Sequence, residues 1–258
     1  MIHRVRESWV GDGWTVLDAY GTGKRIPADV AFLHVDLSVV PQEYLDYARD
    51  YPVAINSGVR DIRKPAFSRL LVRPGDGYAG PVIVKSALNS AGIPELRLGL
   101  LRSSWLSVFE GEERASVAPK WKLKDYPVFA SSADVPPEAF RREDVVVEKF
   151  LPEMHDGLYC LREWYFLGDA SFNRVELWRS PVITSGNAAP DLVEPTPPEV
   201  IALRQELGLD YGKIDYTMHE GKAAVFDVNK TIGTGTYLSD ATTALARKLA
   251  RGLDSLLR

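Results

Sequence analysis

The C-terminal part of the chain sets the tightest limit on its fold. Leu209-Asp-Tyr-Gly-Lys-Ile-Asp215-Tyr reads as one strand-like run, Met218-His-Glu-Gly-Lys222 as a turn, and Ala-Val-Phe-Asp227-Val-Asn229-Lys as a second run. In a strand, residues i and i+2 point to the same face. Asp227 and Asn229 therefore project together, and pairing of the two runs brings Asp215, at the end of the first, beside them. Three hard oxygen donors converging on one spot suit Mg²⁺, which usually completes its shell with water and phosphate. Such a site points to nucleotide chemistry. The plainer alternative is a pair of acids that only solvates a hairpin.

Composition narrows the class. The 258 residues are 45% hydrophobic and 26% charged, ordinary for a folded protein with a sizeable core. A formal net charge of −4 offers no broad nucleic-acid-binding surface. The single cysteine, Cys160, rules out an intrachain disulfide and fits a reducing compartment. Met1-Ile-His-Arg-Val-Arg-Glu lacks the apolar core of a signal peptide, and no run reaches the length of a membrane span. The expectation is a cytoplasmic protein with neither nucleic-acid nor membrane partners.

Patterning gives the organisation. Val30 to Asp36 and Val53 to Asn56 read as strands, Pro41 to Asp50 and Ile62 to Val72 as helices, together a small β-α-β-α unit. Pro74-Gly-Asp-Gly-Tyr-Ala-Gly-Pro81 is the clearest boundary. Strands are expected at Pro81 to Lys85, Asp144 to Leu151, Tyr159 to Leu167 and Asn173 to Val182, the last two joined at Gly168-Asp169. Residues 185–198 read as a surface loop, Pro198 to Gly208 as a helix ended by glycine, and Ser239 to Leu257 as a closing amphipathic helix. Lys120-Trp-Lys-Leu-Lys124 reads as a solvated strand or loop, and residues 1–27 give no clear pattern.

Three features recur in a telling order: a strand ending in Lys85, a later strand running through Glu148-Lys149-Phe150-Leu151, and the acidic hairpin. In order and residue type they resemble the ATP-grasp superfamily, over roughly residues 55–235. The resemblance implies a mixed α/β (α+β) fold: two α+β subdomains clasping a nucleotide, after a short leading unit. Its boundaries would be 1–75 for a truncated pre-grasp domain, 76–150 for the N-terminal subdomain and 151–258 for the C-terminal subdomain.

The resemblance also implies roles. ATP and Mg²⁺ would be the cofactors. Lys85 and Lys64 would reach phosphates, as compact charges. Glu148, Lys149, Phe150 and Leu151 would form the hinge that reads adenine, with Glu148 near the exocyclic amine. Glu153 or Asp156 would hold the ribose. Arg162 and Arg179 would face the γ-phosphate and the acyl intermediate, and Asp215, Asp227 and Asn229 would hold the metal. Each has a plainer role: Lys85 as a solvated strand end, Lys64 as neutraliser of Asp61, Glu148 and Lys149 as surface charges, the arginines as stacking partners of nearby aromatics.

Three departures stand out. The phosphate-covering loop would be Ser86-Ala-Leu-Asn-Ser-Ala-Gly92, with a single glycine; Asp227 replaces the usual glutamate; and Thr231-Ile-Gly233-Thr-Gly-Thr236 replaces the usual Pro-Gly. The expected activity is an ATP-dependent ligase that joins a small-molecule carboxylate to an amine or thiol, and the resemblance allows a homodimer. A small-molecule kinase and a non-catalytic nucleotide-binding or interaction protein are the alternatives. Asn56 and Ser57 are candidates for substrate contact.

Overall fold

A computed structural model describes residues 1–101, 126–182, 186–233 and 240–258. The expectations for Lys120 to Lys124 and for Thr234 to Thr236 lie outside the described residues.

The leading unit opens with a helix that the sequence pattern left uncalled, α1 (Ile2–Gly11), whose Val5 and Trp9 are buried one turn apart. The short strands β1 (Val30–Phe32) and β2 (Val53–Ile55) pair in parallel, joined by α2 (Gln42–Arg49) behind Pro41. Parallel neighbours need such a crossover. The helix expected over Ile62 to Val72 shrinks to one turn, α3 (Lys64–Phe67). Pro65 opens that turn, and the chain then extends so that Val72 N–H donates to Val147 O at 2.8 Å.

A small antiparallel sheet follows, in the order β4 (Val128–Phe129), β3 (Val82–Ser86), β5 (Val145–Lys149). Between its strands, α4 (Ile93–Arg97) closes the Ser86–Gly92 loop. Val72, Val82, Val84, Val145 and Val147 form its core.

The large sheet is built from β6 (Glu153–His155), β7 (Leu158–Leu167), β8 (Ala170–Trp178), β9 (Asn187–Ala188), β10 (Tyr211–His219) and β11 (Lys222–Asn229), in the order β11-β10-β7-β8-β9 with β6 against β7. Residues 187–188 thus join a sheet where a loop was expected, and β10 runs on past Asp215 to His219. Glu220 and Gly221, with φ of 49° and 76°, make a two-residue turn of the kind whose twist matches paired strands.

Strand alternation sorts the large sheet into two faces. Trp164, Phe166, Ile214, Tyr216 and Val228 pack against Val200 and Leu203 of α5 (Pro198–Glu206). Each fully buried side chain of this size contributes about 1.5–3 kcal/mol. The helix ends as expected, with Gly208 at φ +66° lying so close to Gly58 that a Cβ there would meet its backbone at 3.2 Å. At one end of the opposite face, Tyr165, Leu167 and Tyr211 pack with α1 and α6 (Asp240–Ala250), and Trp9 donates to Ala250 O at 2.9 Å. The rest of that face is polar and turns toward the small sheet.

Asn56 joins the leading unit to the large sheet. It sits at φ 60°, a conformation asparagine tolerates better than most residues, and is buried. Its Oδ1 accepts from Asp210 N and Tyr211 N, both at 3.0 Å, and its Nδ2 donates to Tyr211 O at 2.9 Å. Ser57 Oγ donates to Ala54 O at 2.8 Å. Both side chains are therefore committed to backbone rather than turned toward a substrate. Asn56→Ala removes the side-chain partner of three backbone groups, the two on Tyr211 buried, and should cost about 3 kcal/mol, read as a lower urea midpoint at unchanged m-value.

Candidate functional site

The hairpin register decides what the polar face presents. Asp215 lies opposite Asp227, and Lys213 opposite Asn229. On the other side, Asp215 lies opposite Glu163 of β7. All five residues share one face, and a bulge after Asp215 turns the strand beyond it. Asn229 Nδ2 donates to Asp227 Oδ2 at 3.1 Å, which leaves the amide oxygen free to accept or ligate.

This face and the small sheet enclose a cavity of about 330 Å³, within the size range of small-molecule sites. Two lysines cross it. Lys85, on β3, forms an ion pair with Glu148 of β5 at 2.6 Å, and its Nζ donates to Phe226 O of β11 at 2.9 Å. Lys64, at the start of α3, reaches Asp227 at 3.2 Å and Leu88 O at 3.3 Å. A third lysine, Lys213, lies between Glu163 at 2.7 Å and Asp215 at 3.0 Å. In these pairings three ammoniums, Lys64, Lys85 and Lys213, thus meet four carboxylates, Asp227, Glu148, Asp215 and Glu163.

The electrostatics follow from that count. Burial disfavours the charge on Lys213, but Asp215 and Glu163 outweigh it and hold the lysine well above its ordinary pKa. Two acids share that one lysine, and burial raises Asp215 to about 7 against the pull of Lys213. Burial also pushes Asp227 up, yet Lys64, Lys85 and Lys213 together leave it below the usual carboxylate value. Lys85 is drawn down by burial, which Glu148 only partly offsets.

The expected site residues divide clearly. Lys64, Lys85, Glu148, Lys149, Phe150, Leu151, Glu153, Asp215, Asp227 and Asn229 all line the cavity. Lys64 does not neutralise Asp61; Arg63 does, at 2.6 Å. Glu148 is wholly buried against Lys85 rather than held out toward an amine. In the expected hinge segment, Lys149 N–H donates to Leu70 O, Phe150 N–H to Pro81 O, and Leu151 O accepts from Thr217 Oγ1. Lys149 Nζ sits 5.1 Å from the Tyr78 ring centre.

Three expected residues fall outside the cavity wall. Arg162 alternates to the face opposite Glu163, where Glu153 holds it at 2.7 Å and Glu194 at 3.2 Å. That pairing also occupies Glu153, which accepts from Met218 N at 2.8 Å as well. Arg179 lies just past the end of β8 and is exposed. Asp156 is exposed on the turn between β6 and β7, with φ 48°. A γ-phosphate role for either arginine has no support in this placement, and of the two ribose candidates only Glu153 borders the cavity.

Lys213 and Glu163 are what the sequence reading missed. The signal was present: Lys213-Ile-Asp215 obeys the same i, i+2 rule as Asp227-Val-Asn229. Within the expected phosphate-covering loop, Ser90 and Ala91 stand at φ 48° and 58°, and with Gly92 they form a run of left-handed residues beside the cavity, which Ser90 lines. Such backbone is stored strain of a kind found at ligand sites.

The donors fit a hard divalent cation. Asp215, Asp227 and Asn229 supply carboxylate and amide oxygens on one face; Glu163 Oε2 is buried without a hydrogen bond, and Asp215 Oδ1 has only the 3.0 Å ion pair to Lys213, with no hydrogen bond of good geometry. Among the described residues no group of three His, Cys, Asp or Glu side chains is placed to hold a metal ion, so Mg²⁺ held here would draw further oxygens from water or phosphate. Among the described residues, too, no helix is long and apolar enough to cross a membrane.

The Lys85–Glu148 pair makes the cavity floor costly to break. Lys85→Ala should destabilise by about 3–5 kcal/mol, because it leaves a buried carboxylate unpaired. Lys85→Met with Glu148→Leu should recover most of that loss, a non-additivity that urea unfolding of the full double-mutant cycle measures directly.

Solved structures supply the comparison. An ATP-grasp protein described as a RimK domain protein, from Sphaerobacter thermophilus DSM 20745, is similar over 97% of this chain and 94% of its own, with 12% identity and a TM-score of 0.53. The D-alanine–D-alanine ligase of Bacillus anthracis, complexed with ATP, is similar over 89% of this chain and 78% of its own, with 14% identity and a TM-score of 0.44, too loose to carry an argument. No protein-family model and no curated protein matches the sequence. At 12% identity the first likeness speaks to fold alone, and it extends nearly end to end over the mixed α/β architecture described above: the chain has the ATP-grasp fold.

Proposed function

We propose that the protein is an ATP- and Mg²⁺-dependent ligase that activates a small-molecule carboxylate and joins it to an amine or thiol. The observation that carries this reading is the convergence of Lys64, Lys85 and Lys213 with Asp215, Asp227 and Asn229 on one cavity between two sheets. Buried charges cost solvation, and a cluster of them facing one cavity favours a functional site over a purely structural one.

The residues have separable tasks. Lys64 and Lys85 trade Asp227 and Glu148 for phosphate oxygens, holding a triphosphate across the gap they now span. Asp215, Asp227 and Asn229 offer oxygen ligands to Mg²⁺, which when bound offsets phosphate charge as it shifts between atoms. The apolar walls from Phe150, Leu151 and Phe226 exclude water from the reacting groups. A carboxylate oxygen of the substrate takes the γ-phosphoryl group, releasing ADP; an amine then attacks the acyl carbon and phosphate leaves. Catalysis is positioning and charge neutralisation, with no protein nucleophile. Cys160 fits that view, since burial raises its thiol to about 12 and keeps it inert at neutral pH.

Calorimetric titration with adenylyl imidodiphosphate should show binding that depends on Mg²⁺, and Asp227→Asn with Asn229→Ala should abolish ATP turnover while the circular dichroism spectrum stays that of a folded protein, at a lowered urea midpoint because Lys64 loses its buried carboxylate. Absence of binding with or without Mg²⁺ overturns the reading. In a screen of carboxylate and amine pools, a ligase releases free phosphate together with ADP; ADP without phosphate would mark a kinase instead.

A further inference from the structure

Backbone N–H groups are what a tight loop offers to an anion. In the Ser86–Gly92 loop, those from Ala87 to Ser90 are already taken. Ala87 N–H donates to Asp144 O at 2.9 Å, Leu88 N–H to Ser86 Oγ at 3.1 Å, Asn89 N–H to Ser38 Oγ at 2.9 Å and Ser90 N–H to Asn89 Oδ1 at 2.9 Å. The bond to Ser38 ties the loop to the leading unit, since Ser38 lies between β1 and α2. The Ser38 hydroxyl donates in turn to Glu95 Oε1 at 2.7 Å, and the same oxygen accepts from Ser38 N–H at 2.8 Å. Glu95 belongs to α4, directly after the loop. Ser38, Asn89 and Glu95 are all buried. A further tie runs to α3, where Lys64 N–H donates to Ala87 O at 2.9 Å. The loop backbone needs such anchoring. Ser90, Ala91 and Gly92 stand at φ 48°, 58° and 73°. Left-handed backbone is unfavourable for residues with a Cβ and persists only where surrounding bonds over-determine it.

We propose that Ser38 and Glu95 are positioning residues that latch the Ser86–Gly92 loop to the leading unit, making the loop a fixed wall of the cavity and not a lid that closes on its ligand. Side-chain oxygens of Ser38, Ser86 and Asn89 occupy the amides that an open loop would offer to an anion. The loop then serves the site by shape, through Asn89 and Ser90, which line the cavity. The latch stands on the bonds above; its bearing on ATP rests on the nucleotide-binding reading.

Nuclear magnetic resonance order parameters of the backbone amides test this, because they report motion within the folded state and not its stability. In the nucleotide-free wild-type protein, Ala87 to Ser90 should be as rigid as β7 and β10, at about 0.85. Adenylyl imidodiphosphate with Mg²⁺ should leave those values unchanged. Ser38→Ala and Glu95→Ala should each lower the loop toward about 0.6, with β7 and β10 unaffected. Glu95→Gln, which keeps an oxygen acceptor for both Ser38 donors, should hold the loop as wild type does. A mobile loop in the nucleotide-free wild type, or order gained only on adding nucleotide, overturns the proposal. So does a loop that stays rigid in both alanine variants, whatever their urea midpoints. If calorimetry shows no nucleotide binding while the wild-type loop is rigid and the alanine variants release it, the ligase reading fails and the latch stands.

Discussion

Buried lysine–carboxylate pairing across the cleft is the interaction on which the arrangement depends. Lys85 and Lys64 do not merely decorate a pocket. They tie the small sheet and the short α3 turn to the backbone and side chains of β11. Ammoniums so far from water are stable only because each has a carboxylate and a carbonyl at hand. On the ligase reading proposed above, the bonds that hold the cleft together are also those that a triphosphate would take over.

The large sheet makes this possible by serving two environments from one set of strands. Its apolar face packs on α5 and gives rigidity. Its other face is apolar where α1 and α6 cover it and charged where the small sheet faces it. Period-two alternation allows this division, since moving the register by one residue would bury Lys213 and Asp215 in the α5 core and expose Ile214. Hairpin register is fixed by the Glu220-Gly221 turn, and so the position of the charged face traces back to two residues with positive φ.

Much of this was legible in the sequence, for local reasons. The acidic hairpin, the strand ending at Lys85 and the glycine-ended helix at Gly208 all follow from alternation and backbone preference. The α1 helix escaped notice because its buried positions are only Val5 and Trp9, and the apolar Val10 lies exposed off their face. Ile62 to Val72 read as helix because its apolar spacing permits one; hydrogen bonds to β5 overrode that preference. The arginines illustrate a different limit. Arg162 lies on the strand where it was expected, but one-residue alternation decides which face it serves, and its partner Glu153 comes from another strand. Pairings between distant segments, such as Lys64 with Asp227, leave no mark in local pattern.

Asn56 bears on modularity. The leading unit looks in sequence like a detachable module ahead of the Pro/Gly stretch, yet its Asn56 completes the backbone bonding at the start of β10, and Lys64, downstream of it but still ahead of that stretch, supplies a charge to the cleft. Lys230, immediately after Asn229, returns the connection by donating to Val35 O and Leu37 O. A chimera that exchanged this unit for another would have to carry these three residues' partners along with it. The seam for such exchange is therefore interlaced in space, although it is a single point along the chain.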